Sequence, residues 1–143
     1  MEQRYLLDTN VVSELVKQQP DFMVVRAIAE HEAACALSAP TLEELVFGCE
    51  RLTSADRRAW LRRWIDGLTQ RWPVLPYDAR AAHWLGQERA RLAAAGRPAP
   101  RADGEIAAVA VVHGLTLVTR NLRDFAGFDG LQTEAWHRPP EPG

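Results

Sequence analysis

Arg4-Tyr5-Leu6-Leu7-Asp8-Thr9-Asn10 decides how the rest of the chain is read. Residues 4–7 form a short apolar run of strand type, and Asp8 follows two leucines directly. An ionised carboxylate at the end of a buried strand needs a partner or a cation. The residues after it predict a helix from about Asn10 to Lys17, and Asn10 is available to cap it without help from Asp8.

The same hand-over from strand to helix beside an acid recurs along the chain. Pro20-Asp21 restarts a helix through about Glu32, with Phe22, Val25, Ile28 and Ala29 at helical spacing. Residues 34–37 read as a second strand, and Thr41 as the start of a helix through Leu42, Leu45, Val46 and Cys49. A helix over about 54–71 carries Trp60, Leu61, Trp64, Ile65 and Leu68 on one stripe, which assigns both tryptophans to the core. Val74-Leu75 is a minimal strand, Asp78 caps a helix to about Ala94, and Gly96-Arg97-Pro98-Ala99-Pro100-Arg101 is a linker. The apolar run 106–112 is a buried helix ended by Gly114, strand 115–118 follows, and 131–136 is a last edge strand. Five strands alternating with helices predict an α/β fold, a parallel five-stranded sheet with helices on both faces. One domain is expected over residues 1–137, with 138–143 a proline-rich, frayed tail.

Bulk properties exclude more than they assign. At 143 residues, 47% apolar and 25% charged, the chain suits one globular domain and not a disordered one. A formal charge of −2 exerts no global pull on nucleic acid, although sixteen Arg and one Lys leave room for a local basic rim. Cys35 and Cys49 have no metal-ligand spacing and read as reduced, half-buried fillers of a cytoplasmic protein. No apolar stretch approaches the roughly 20 residues that span a bilayer, so no membrane is expected. The four histidines are unpaired, which argues against zinc, and the sequence has neither a P-loop nor a nucleophile elbow.

What remains is four acids, Asp8, Glu44, Asp103 and Asp124, at strand–helix junctions. Each has a structural reading. Thr41-x-x-Glu44 matches a capping box, Asp103 is placed to cap the 104–113 helix, and Asp124 closes the polar turn 119–124. Together they say more, because several carboxylates converging at strand ends repel one another unless a cation joins them. The crevice at the carboxyl ends of a parallel sheet is where such positions meet. Hard oxygen ligands there suit Mg²⁺ or Mn²⁺ and, through the ion, phosphate chemistry.

Four blocks then resemble, in order, the PIN-domain endoribonuclease toxins of the VapC/FitB type. They are Leu6-Leu7-Asp8-Thr9-Asn10 through Glu14, Ser38-Ala39-Pro40-Thr41-Leu42-Glu43-Glu44 through Gly48, Gly96-Arg97-Pro98 with Ala102-Asp103-Gly104-Glu105-Ile106, and Gly114 through Thr119-Arg120-Asn121 with Asp124-Phe125. The resemblance covers nearly the whole chain. It implies metal-dependent cleavage of single-stranded RNA, an antitoxin partner, and a homodimer that extends to a larger toxin–antitoxin assembly. Asp8 and Asp103 match the family's metal ligands and Glu44 the acid that completes the site, with one or two Mg²⁺ ions and Mn²⁺ as substitute. The fourth acid falls on Asn121 in some members and on Asp124 in others; Asp124 is favoured as the acid available in that turn. Asn10, Thr119 and Asn121 are expected as supporting groups, Arg101, Arg120 and Arg123 as candidate RNA contacts, and Glu105 as an extra acid on the rim.

Rival readings fit less well. An aspartyl phosphatase would want an acid where Asn10 stands, and a receiver domain would want a lysine after strand 115–118. A catalytically silent PIN-fold module for RNA or protein binding is the remaining alternative, opposed by the presence of all four acids.

Overall fold

The computed structural model describes residues 2–139. Five strands, β1 (Tyr5–Leu7), β2 (Cys35–Ser38), β3 (Val74–Leu75), β4 (Thr116–Val118) and β5 (Thr133–Glu134), form one parallel sheet in the order β3-β2-β1-β4-β5. The helices are α1 (Thr9–Val12), α2 (Phe22–Glu30), α3 (Ala39–Glu50), α4 (Ala55–Arg71), α5 (Ala79–Ala94), α6 (Arg101–Val112) and α7 (Leu122–Phe125). The expected α/β architecture is therefore present. None of these helices is long and apolar enough to cross a membrane.

Alternation along three-residue strands divides the core in two. Tyr5 and Leu7 of β1, with Cys35, Leu37 and Val118, face a cluster completed by Val11, Val12, Val24, Ile28, Ile65 and Leu68. Leu6, with Ala36 and Leu117, faces the other side against Ile106, Ala107, Val109 and Ala110 of α6. Each side buries enough aliphatic surface to hold strands too short to persist alone. Successive strands step outward from β1 to β3, then the chain crosses back and lays β4 on the other side of β1. That reversal opens a crevice between the carboxyl ends of β1 and β4.

Several local expectations need correction. The predicted 10–17 helix is α1 followed by a tight 3-10 turn at Ser13–Val16, and Asp8, not Asn10, caps α1 by accepting from the Thr9 N–H at 2.8 Å. Helix α3 starts earlier than predicted because Ser38 caps it, accepting from the Thr41 N–H at 3.1 Å; Thr41 is buried and its hydroxyl caps nothing. Helix α6 begins at Arg101, so Asp103 lies inside its first turn and is not the cap. The second half of the predicted 119–124 turn is the start of α7, whose four residues are too few to show a period.

Two apolar stripes are rotated from their expected positions. The buried face of α2 is Val24 and Ile28, leaving Phe22 73% exposed. On α4, Ile65 and Leu68 are buried with Leu61 and Trp64 beside them, whereas Trp60 is 49% exposed and not a core residue. Cys35 and Cys49 are fully buried rather than half-buried, and burial pushes the Cys35 thiol up to about 12, which makes it inert. In the assigned tail, the Arg138 N–H donates to Asp21 Oδ2 at 2.7 Å, while residues 140–143 lie outside the described residues.

Candidate active site

Asp8 leaves β1 at the centre of the sheet and points into the β1–β4 crevice. Its own N–H continues the sheet by donating to the Val118 carbonyl at 2.9 Å. The side chain is 6% exposed and accepts three hydrogen bonds. They come from the Thr9 N–H at 2.8 Å, the Thr119 hydroxyl at 2.8 Å and the Asn10 amide at 3.3 Å. The Thr119 bond spans the crevice, from the end of β4 to the end of β1. Burial, the largest influence, pushes the Asp8 carboxyl above its ordinary range; the three donors pull it back only in part, and the charge of Asp124 adds to the rise.

The expected supporting groups differ in what they do. Asn10 bonds Asp8 with its amide and accepts from the Arg120 N–H at 3.1 Å, so one side chain ties β1 to the loop after β4. Thr119 is fully buried and also accepts from the Asn121 N–H at 3.1 Å. Asn121 takes part through its backbone alone, its N–H donating to the Thr119 hydroxyl oxygen and its carbonyl accepting from the Asp124 N–H at 3.1 Å.

Glu44 projects from the second turn of α3, released from the capping-box role by Ser38. One carboxylate oxygen, Oε2, accepts from the Thr9 hydroxyl at 2.5 Å. Thr9 was not singled out in the sequence, where it reads as an ordinary polar residue at a helix start. Its partner lies 35 residues on, and only the fold joins them.

Asp103, in the first turn of α6, is half-buried. Burial is the main cause of the upward shift of its carboxyl, followed by the charges of Asp124, Asp8 and Glu44 in that order. All four acids thus share one electrostatic environment. Asp124, on α7, lines the same cavity as Asp103. Among the described residues none of the four pairs with a Lys, Arg or His.

The neighbouring charged residues separate into distinct groups. Glu105 is engaged by Arg101 at 3.3 Å, which makes that pair a rim feature and occupies Arg101. Arg123 lines the cavity next to Asp103 and Asp124. Arg120 faces a different cavity, lined by Glu14, Lys17, Asp21, His137 and Arg138.

The donor set is chemically suited to a hard divalent cation. It consists of carboxylates from four elements, of which Asp8 and Asp103 are disfavoured in the charged form by burial and by neighbouring negative charge, and none is paired with a cation among the described residues. Among the described residues no group of three or more acid, thiol or imidazole side chains is drawn together closely enough to hold a metal ion. The acids make an open array, the kind that suits an ion bound by one or two carboxylates with water completing its shell, as Mg²⁺ prefers.

Known proteins resemble the chain in sequence and in fold. The PIN domain family model matches residues 5–131. The chain is 38% identical to the tRNA(fMet)-specific endonuclease VapC of Shigella flexneri, covering 93% of this chain and 98% of that protein. It is 32% identical to the toxin FitB of Neisseria gonorrhoeae over 92% of this chain and 98% of that one. Among solved structures, FitAcB from Neisseria gonorrhoeae superposes with a TM-score of 0.84 at 32% identity, covering 90% of this chain and 95% of that one. The DNA-bound VapBC of Salmonella typhimurium gives 0.80 at 32% identity, covering 94% and 98%. The chain belongs to the PIN-domain family and, within it, to the group of VapC and FitB toxins.

Proposed function

We propose that the protein is the ribonuclease toxin of a toxin–antitoxin pair, cutting phosphodiester bonds of single-stranded RNA with the help of a divalent cation. The observation behind this is that the charges of Asp8, Glu44 and Asp124, from three other elements, all act on Asp103 beside the point where the strand order reverses, with none of the four paired to a Lys, Arg or His among the described residues. Named relatives that are nucleases and toxins, aligned over almost their whole length, support the same reading.

Asp8 and Asp103 are the residues to hold Mg²⁺ or Mn²⁺. Such an ion supplies positive charge that acidifies water and offsets the charge building on the phosphoryl oxygens. The protein's own groups do the positioning. Thr119, Asn10 and the Thr9 N–H fix the Asp8 carboxylate, and the Thr9 hydroxyl fixes Glu44 through Oε2. The second Glu44 oxygen, or the exposed Asp124 carboxylate, orients the attacking water and accepts its proton as the water oxygen bonds to phosphorus. The leaving ribose oxygen departs on the opposite side and takes up a proton. Arg123 at the cavity edge neutralises backbone phosphate, which costs affinity as salt rises.

The exposed Phe22, Met23, Val46, Phe47 and Trp60 offer apolar area for an antitoxin segment or for a second copy of the chain. An arginine from the antitoxin reaching the unpaired acids would silence them. Purified protein is expected to cleave single-stranded RNA with Mn²⁺ or Mg²⁺, and to lose that activity in EDTA or on Asp8→Asn. An Asp8→Asn protein that cleaves RNA as fast as the parent removes the mechanism. Co-purification with the product of the neighbouring reading frame tests the antitoxin, and sedimentation of the free protein tests the homodimer.

A further inference from the structure

Beside the acids lies a cavity of about 430 Å³ that hydrolysis of the phosphodiester does not by itself use. Asp103 and Asp124 form its catalytic side. Leu92 and Phe128 are buried and Ala99 half-buried, so they make its apolar interior, while the exposed Arg97 and Arg123 stand at its edge. The volume falls within the roughly 300–1,000 Å³ typical of small-ligand sites.

Both walls are built to keep their shape. Helix α5 ends at Ala94, and Gly96, with a φ of 72°, turns the chain just beyond it so that the Gly96 N–H donates to the Ala93 carbonyl at 3.0 Å and the Arg97 N–H to the Leu92 carbonyl at 2.9 Å. Pro98 and Pro100 then restrict the backbone that carries Ala99. The opposite wall, 126–129, is latched to α5 by a carboxylate with no part in the chemistry. Glu88 is 6% exposed, accepts from the Asp129 N–H at 2.9 Å and pairs with Arg91, which donates to the Gly127 carbonyl at 2.7 Å. Glu88 is buried while Arg91 still reaches solvent, so the latch holds the loop mainly through the two hydrogen bonds to its backbone.

We propose that this cavity is a nucleotide subsite, receiving the unstacked base next to the scissile phosphate, with Arg97 and Arg123 on the backbone. The inference rests on the ribonuclease reading above and deepens it. An RNA strand whose phosphate lies over the acids brings its flanking nucleotide to this cavity, because Asp103 and Asp124 belong to both. Apolar walls take the faces of a base, and arginine takes phosphate. A duplex cannot supply that base without breaking its stack, so the subsite imposes the single-strand requirement and a preference at one flanking position.

Two measurements test this independently. The first is cleavage of a randomised single-stranded oligonucleotide pool by the parent and by Ala126→Phe, which places a ring in the cavity from an exposed position. The parent should show roughly a tenfold base preference at one flanking position, the size an apolar contact supports, and the variant should flatten it. The second is titration of the parent with the four nucleoside 5′-monophosphates followed by backbone NMR. Shifts should concentrate at Leu92, Ala99 and Phe128 and vanish in Ala126→Phe. Unchanged preference in the variant, with no millimolar shifts at these residues, overturns the subsite while leaving the ribonuclease intact. Shifts at these residues in a protein that cleaves no RNA would instead keep the subsite and overturn the ribonuclease reading. Shifts there caused only by a co-purified protein partner would assign the cavity to a side chain of that partner and overturn the proposal.

Discussion

Two of the places where the molecule buries an acid solve the same problem in opposite ways. At the end of β1, Asp8 and the three other acids have no cationic partner among the described residues, and burial works against Asp8 and Asp103. Behind α1, Glu14 is 2% exposed and fully provided for. It accepts from Lys17 at 2.5 Å and from the Asp21 N–H at 2.8 Å, with the His137 ring at 3.2 Å. Burial, the largest influence there too, raises its pKa, yet the hydrogen bonds from Lys17, Asp21 and His137 outweigh it and hold Glu14 at about 2. A carboxylate whose donors are complete holds structure together, and one left short of positive charge is kept for a ligand.

The largest effect expected from this contrast is on activity. Asp8→Asn should lower RNA cleavage by at least about a hundredfold, the scale of losing one electrostatic group at a reacting phosphate. Calorimetry should show weakened Mn²⁺ binding, and thermal melting of the metal-free variant should be no lower than the parent's. A variant that melts well below the parent would make Asp8 a structural acid like Glu14. Glu14→Ala should do the reverse. We expect a loss of about 2–3 kcal/mol in urea unfolding, below the roughly 3–5 for breaking a fully buried pair because Lys17 reaches solvent. Specific activity of the folded fraction should stay within about twofold of the parent, a neutral result by the scale of catalytic losses.

Thr9→Val comes next, expected to lower kcat roughly tenfold with little change in KM, since it removes the donor that orients Glu44 and no contact with RNA. Thr9→Ser should restore most of the rate. Equal activity in Thr9→Val would mean that Glu44 needs no positioning.

The smallest effect is in the pH dependence of stability, where the two regions have opposite signs. Glu14 is lowered from 4.5 to about 2, so its contribution is present above 4.5 and is lost as the pH falls toward 2. Asp8 and Asp103 are raised above 3.8, so the folded state holds their protons more tightly. Their contribution is complete below the unfolded value and is lost as the pH rises through the raised one. In metal-free urea titrations Glu14→Gln should flatten the acid limb, and Asp103→Asn should reduce the opposing slope, leaving the part due to Asp8. A Glu14→Gln curve parallel to the parent's below pH 4.5 would contradict the clasp.

Sequence reading reached the sheet and the four acids because both leave short-range marks. Leu6-Leu7-Asp8 is a buried pair followed at once by a charge, and the strand 115–118 is bounded by Gly114. Features that depend on a partner far along the chain were not legible. Thr9 finds Glu44 and Glu14 finds His137 only in the folded chain, the latter across 123 residues. Trp60 failed for a different reason. Trp60 and Trp64 are one helical turn apart, but the stripe on α4 passes through Leu61, Ile65 and Leu68, and a one-residue rotation puts Trp60 in solvent. Glu44 looked like a cap because Thr41 precedes it by three, whereas Ser38, at the end of β2, was already in place to cap α3.

The crevice between β1 and β4 also has a consequence in time. Asp8 and the Thr119 hydroxyl that holds it are 111 residues apart. A ribosome adding roughly 5–20 residues per second needs on the order of 5–20 s to travel from one to the other. Throughout that interval β1 has no β4 beside it, and Asp124 does not yet exist. The centre cannot assemble until Asp124 has been made, so a protein built to attack RNA stays inert throughout the interval in which the residues between its first and last acid are being added.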